Sequence, residues 1–201
     1  MTTGTGIHPD YAIEDVELGA RNIALVARIG AAAQAFFFVA FLFAFFYLRA
    51  LNTNGRWNTH NVHPSRAYGV AILVCVLASV AACWLGAWAA RGAGRLFWRL
   101  GIGGAIVLAF AAIGIQSAQY ANLGFGQAEG GFPSVFLGWT GLFAFNVLIV
   151  AYWLGSLLAE SSRADGRPLK LLRPTADALG LYWGVLGVIE LVAFILFYFV
   201  A

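Results

Sequence analysis

The sequence predicts an all-α membrane protein, a bundle of five transmembrane helices, and three observations carry that prediction. Of 201 residues, 61% are hydrophobic, only 10% are charged and 24 are glycine, a balance foreign to soluble domains of this size. Several apolar runs reach the roughly 20 residues that a helix needs to cross a hydrocarbon core. The basic residues collect in the short stretches between those runs, where they orient a chain in a bilayer. The length allows one domain, read as a polar tail over residues 1–28 and a five-helix domain over 29–201.

Taken in order, the tail is acidic at Asp10, Glu14, Asp15 and Glu17, with Arg21 and Arg28 near the membrane. It lacks the basic start and immediate apolar core of a secretory signal, so the first span is expected to stay in the mature protein. Helix one, over 29–48, is crowded with phenylalanine (Phe36, Phe37, Phe38, Phe41, Phe43, Phe45, Phe46), a broad surface for lipid or a partner helix. Helix two covers 68–90 and holds both cysteines, Cys75 and Cys83; eight residues apart in one apolar helix, they read as packed thiols and imply no disulfide framework. Arg91, Gly92, Gly94 and Arg95 make a tight basic turn, not a phosphate cradle. Helix three covers 98–121 and ends in Gln116, Gln119 and Tyr120. A Gly-rich loop free of Lys and Arg leads through Phe132-Pro133 into helix four, over 132–158, which carries Thr140-Gly141 early. Helix five covers 178–200, with Gly180, Gly184 and Gly187 on one side. Small residues there let another backbone approach closely, within the chain or from another subunit; similar patches occur at Gly101, Gly104 and Ala105, and at Gly138 and Gly141.

An odd number of spans puts the termini on opposite sides. Arg21, Arg28, Arg91, Arg95, Arg99, Arg163, Arg167, Lys170 and Arg173 share one face, nine of the 12 basic residues, while Arg49, Arg56 and Arg66 hold the other. The bias predicts a multi-pass protein with a cytoplasmic amino terminus and an external carboxyl terminus. The net charge of +3 is accounted for by these loops. No long basic patch remains to suggest a nucleic-acid partner.

Candidate chemistry is sparse. The histidines, His8, His60 and His63, all fall outside the predicted spans, and Met1 is the only methionine. A membrane haem or an imidazole-bound copper needs its ligands inside the helices, so no cofactor is expected in this chain. His60 and His63, with no nearby Cys or acidic residue, make an incomplete metal site. Glu190 is the acidic residue deep within a predicted span. A carboxylate there is costly unless protonated, paired or wet, which makes Glu190 a candidate for proton relay, a partner contact or an interhelical hydrogen bond. Gln34, Gln116, Gln119, Thr140 and Asn146 are further intramembrane polar groups, typical of interhelical ties. No nucleophile–base pair or paired-carboxylate site is present, so no catalytic residue is assigned.

Together these segments resemble subunit III of the haem-copper terminal oxidases, in the short five-helix form of bacterial bo-type quinol oxidases and some cytochrome c oxidases. Helix one and its exit, AQAFFFVAFLFAFFYLRALNTNGRW, resemble the family's Phe-rich run and the Trp beyond it. Gln116-x-x-Gln119-Tyr120 is similar to its Gln-x-x-Glu-Tyr. Phe136 to Val147, FLGWTGLFAFNV, is similar to its Thr-Gly-x-His-Gly-x-His-Val segment, and Tyr182-Trp183 to the Tyr-Trp-His opening its last helix. The departures all remove ionisable groups. The acidic residue of the helix-one motif is Gln34 or Ala35 here, the glutamate before the tyrosine is Gln119, and the two histidines are Phe143 and Asn146. The last helix has Gly184 and Gly187 in place of His and Asp, with Glu190 near the family's Trp. The resemblance implies a non-catalytic subunit that packs beside catalytic subunit I and the other oxidase subunits. It would hold phospholipid in a cleft between its helices, while haem, copper, dioxygen chemistry and proton pumping reside in the partner chains. The subunit-III-like protein accompanying nitric oxide reductases shares the pattern. A small proton-coupled transporter using Glu190 is the reading from another class.

Overall fold

The computed structural model describes residues 9–52, 55–58, 62–92, 94–162 and 168–200, with the backbone alone for 9–17. Five helices follow one another: α1 (Pro9–Ala50), α2 (Arg66–Ala89), α3 (Arg95–Ala121), α4 (Gly131–Ser162) and α5 (Leu169–Ile195). A 3₁₀ turn at Gln127–Glu129 precedes α4, and a π-helical turn at Leu196–Val200 continues α5. All five helices are long and apolar enough to cross a membrane. The chain is an all-α, five-helix protein of the multi-pass membrane type.

The helices outrun the apolar segments that announce them. α1 begins at Pro9, not near 29, and α5 at Leu169, not near 178, while α4 runs on to Ser162. An apolar run marks what hydrocarbon covers, whereas a helix satisfies its own backbone and continues into a polar interface without cost. Pro9 suits a first helical position, where its missing N–H is not needed. With 42 residues α1 is the longest helix, about 63 Å at 1.5 Å per residue, so its leading turns extend past the bilayer core. Residues 9–28, read as tail, are thus helical and continuous with the first span. His8, His60, Arg163 and Arg167 lie outside the described residues.

α2, α3, α4 and α5 close a ring in which each packs on the next, and α1 lies along the α4–α5 edge. Contact is closest in the α2–α3 hairpin. A Cβ built on Gly101 would lie 2.6 Å from the Gly86 Cα and 3.0 Å from the Ala82 carbonyl oxygen; the two backbones touch. The glycine stripe of α5 is filled by α2. Cβ atoms on Gly180 and Gly187 would come within 3.2 Å of Trp84 and Val80, and one on Gly184 within 3.8 Å of the Trp84 indole nitrogen. Gly138 receives Phe41 of α1 in the same way, at 3.0 Å. Gly104, by contrast, faces open space.

α1 divides its phenylalanines between two environments. Phe38 and Phe45 are buried, while Phe36 and Phe43 stand out from the bundle. Phe45 meets Trp57 at 4.9 Å, and Phe197 of the π-turn meets Phe136 at 5.2 Å and Trp139 at 5.7 Å. These rings plug the end of the bundle where α1, α3 and α5 finish, called the distal end below. The segment after α1 is latched onto α4 there: Gly131 N–H donates to the Arg56 carbonyl (3.1 Å) and Phe132 N–H to the Trp57 carbonyl (2.8 Å).

Candidate functional site

The polar side chains inside the bundle resolve into separate ties between helices. Toward the distal end, Gln116 and Gln119 are one turn apart on α3, and Gln116 Nε2 donates to Gln119 Oε1 at 3.0 Å. Gln119 Nε2 in turn donates to the Tyr198 hydroxyl at 2.6 Å, fastening α3 to the end of α5. On the next residue, the Tyr120 hydroxyl lies 2.6 Å from Thr140 Oγ1. Thr140 gives its own proton to the Phe136 carbonyl at 2.7 Å, four residues back, so Tyr120 is the donor and Thr140 the acceptor. Gly141, beside Thr140, is not required by that contact: a Cβ there would lie 3.8 Å from the Tyr120 oxygen, an ordinary van der Waals distance.

Glu190 sits in this neighbourhood. It is buried, and its charge is felt by the hydroxyls of Tyr120 and Tyr198. No cation is paired with it among the described residues. An ionised carboxylate in such a place carries a high desolvation cost. Glu190, Gln116 and Gln119 therefore belong to one distal polar region.

Gln34 and Asn146 belong to another. The Tyr182 hydroxyl donates to Asn146 Oδ1 at 3.0 Å, joining α5 to α4, with Gln34 of α1 close to the same oxygen. Asn146 Nδ2 is satisfied on its own helix by the Leu142 carbonyl at 3.0 Å. Sequence reading singled out Gln34 and Asn146 as polar groups and met Tyr182 only within the resemblance, not as the partner of Asn146. It also passed over Ser79 and Ser161. Ser79 is fully buried, accepts from the Trp183 indole N–H at 3.0 Å and donates to the Ala105 carbonyl at 2.7 Å, so α5, α2 and α3 meet at one hydroxyl. Trp98 N–H donates to Ser161 Oγ at 3.0 Å, holding α3 to α4 at the opposite, proximal end. The available signal was the tryptophan count. A buried indole needs an acceptor for its N–H, so each Trp inside a span implies a polar partner. Trp139 departs from that rule: its buried indole nitrogen has no partner.

Among the described residues no three His, Cys, Asp or Glu side chains converge as a metal-binding group. Cys83 is buried and Cys75 partly so, both free thiols. Compared with protein-family models and with curated proteins, the chain matches none. The arrangement is one of bracing: α2, α3, α4 and α5 are each bound to a neighbour by at least one buried or half-buried side-chain hydrogen bond, and α1 packs on α4 through its rings.

Proposed function

We propose that this chain is a non-catalytic integral subunit of an aerobic respiratory haem-copper oxidase, of the subunit III class, which stabilises the catalytic subunit and holds lipid against it. The observation that carries the reading is the meeting of two segments on which the resemblance rests. Tyr120 of Gln116-x-x-Gln119-Tyr120 and Thr140 of Thr140-Gly141 are hydrogen-bonded at 2.6 Å across α3 and α4, and Tyr182 of the last helix is bonded to Asn146 of that same segment. Segments that work as one unit in a helical subunit are expected to touch. In this reading electron transfer to dioxygen, the haem and copper centres and proton translocation belong to partner subunits. The chain spans the bacterial inner membrane with its amino terminus in the cytoplasm.

The test is purification of a tagged chain in mild detergent from membranes of the source cells. A haem-containing partner with oxidase absorption bands is expected; a preparation without any haem protein overturns the reading. The loss of acidic positions, at Gln34 or Ala35 and at Gln119, does not count against a second reading, an accessory protein of a nitric oxide reductase. The identity of the co-purifying catalytic chain separates the two. For a proton-coupled transporter, Glu190→Gln abolishes flux; for a bracing subunit, the same variant leaves the activity of the complex intact.

A further inference from the structure

We infer that the groove between α1 and α5 at mid-bilayer depth binds a lipid-soluble, flat six-membered ring carrying a carbonyl, of the quinone class. The groove measures about 160 Å³. Ala35, Val39 and Leu42 of α1 form one wall, Val188 and Val192 of α5 the other, and Trp139 of α4 lies between them. Val39, Val188 and Val192 are exposed while Trp139 is buried, so the groove opens sideways, away from the bundle.

Volume and lining set the first requirement. An apolar cavity of roughly 150 Å³ lined by Leu, Ile and Phe stays dry and holds one benzene. This groove is of similar size and equally apolar, so it takes one ring. Trp139 sets the second requirement. Among the described residues that line the groove, it is the one with a side-chain nitrogen or oxygen, and its indole nitrogen is buried without an acceptor. Its ring neighbours, Phe38 at 5.1 Å, Phe41 at 6.2 Å and Phe197 at 5.7 Å, offer none. A buried donor left unanswered is costly, so the favoured ring brings an oxygen acceptor with it.

Depth decides which acceptors can arrive. The α1 wall, Ala35 to Leu42, lies seven to 14 residues from Arg28 and the same from Arg49, with no charged residue between those two. At 1.5 Å per residue that is about 10–21 Å from either arginine, the middle of a hydrocarbon core of roughly 30 Å. Water is absent at that depth. The ester and phosphate oxygens of a phospholipid belong to the interfacial layers, and its acyl chains have no acceptor, so neither supplies the oxygen. A quinone does, because it dissolves whole in hydrocarbon and carries its carbonyls on the ring. The sequence leaves the space by setting Ala35 just before a run of phenylalanines. Phe41 of that run seats on Gly138, so α1 rests on α4 next to Trp139.

The inference rests on the membrane-spanning architecture and not on the oxidase reading. Its readout is ligand binding by the chain alone, so it stands or falls apart from haem co-purification. The experiment is equilibrium dialysis of the purified full chain in detergent against micelles without protein. The ligands are duroquinone and durene, the same tetramethyl ring without carbonyls. One duroquinone per chain is expected, bound about 3–10-fold tighter than durene, the range of one hydrogen bond. Trp139→Phe keeps a ring in the floor and should bring the two ligands to within about twofold of each other. Val188→Phe, which places a ring in the groove, should abolish binding of both, with helix content by circular dichroism unchanged in either variant. Equal binding of the two ligands by the wild type, a preference that persists in Trp139→Phe, binding that survives Val188→Phe, or displacement of duroquinone by an equal concentration of hexadecane would overturn the assignment.

Discussion

At the scale of single residues, Ser79 carries more of the fold than its size suggests. Its hydroxyl is fully buried and serves as acceptor for Trp183 and donor to Ala105, so its loss strands an indole N–H in a dry interior. An average side-chain hydrogen bond inside a membrane protein contributes about 0.6 kcal/mol, whereas an orphaned buried donor costs about 1–3 kcal/mol. The second effect decides the outcome. Ser79→Ala is expected to destabilise the purified chain by about 1–3 kcal/mol, read as lower resistance to thermal unfolding in detergent. Ser156→Ala, whose exposed hydroxyl merely bonds the Trp153 carbonyl, should stay within about 0.5 kcal/mol of wild type. Tyr198→Phe belongs between them. It removes the acceptor of Gln119 Nε2 at a partly buried site and is expected to cost about 0.6–1.7 kcal/mol. An equal response to all three substitutions would mean that burial, as found here, does not govern these bonds.

At the scale of the helices, glycines that look alike in the sequence differ in consequence. Gly101 and Gly104 lie three residues apart on α3, yet a Cβ on Gly101 would enter the Gly86 backbone while one on Gly104 meets nothing within 4 Å. Backbone cannot move aside as a side chain can, so Gly101→Ala should force α2 and α3 apart and cost about 1–3 kcal/mol. Gly104→Ala should be neutral or stabilising by about 0.5–1 kcal/mol, since alanine favours helix over glycine. The pair is checked by the unfolding temperatures of the two variants, and the same sign for both would contradict the packing described. The contrast also marks what the sequence discloses. Five spans were legible, because hydropathy reports what lipid covers, and so was a small-residue stripe at Gly180, Gly184 and Gly187. Which helix fills the stripe was not legible: Trp84 and Val80 come from α2, about a hundred residues earlier in the chain, and local pattern carries no such long-range information. The starts of α1 and α5 were missed for a related reason. Pro9 and Lys170 belong to helical turns outside the hydrocarbon, where composition turns polar although the backbone pattern is unchanged. Of the polar groups, Gln116 and Gln119 were legible as a motif at helical spacing. The Tyr182–Asn146 bond was not, because it joins two helices far apart in sequence through a tyrosine that reads as ordinary aromatic packing.

At the scale of the whole molecule, the proposed orientation rests on charge and parity together. With all five helices crossing, the start of α1, the α2–α3 turn and the facing ends of α4 and α5 share the proximal side, and the α3–α4 loop lies on the distal side. Among the described residues Arg21, Arg28, Arg91, Arg95, Arg99, Lys170 and Arg173 lie toward the proximal end, and the positive-inside bias predicts that this end faces the cytoplasm. Single cysteines test both statements at once. Ser162, at the proximal end of α4, and Gln127, in the α3–α4 loop, are both exposed, so either position tolerates substitution and reaches solvent. Cys75 and Cys83 lie within α2, shielded from a charged, membrane-impermeant maleimide, which leaves the wild type as a blank. In intact spheroplasts, Gln127→Cys is expected to label from outside, and Ser162→Cys only after the membrane is opened. The reverse pattern would invert the orientation while keeping the five spans. Labelling of both from one side would be incompatible with an odd number of crossings between residues 127 and 162, where α4 alone passes through the bilayer.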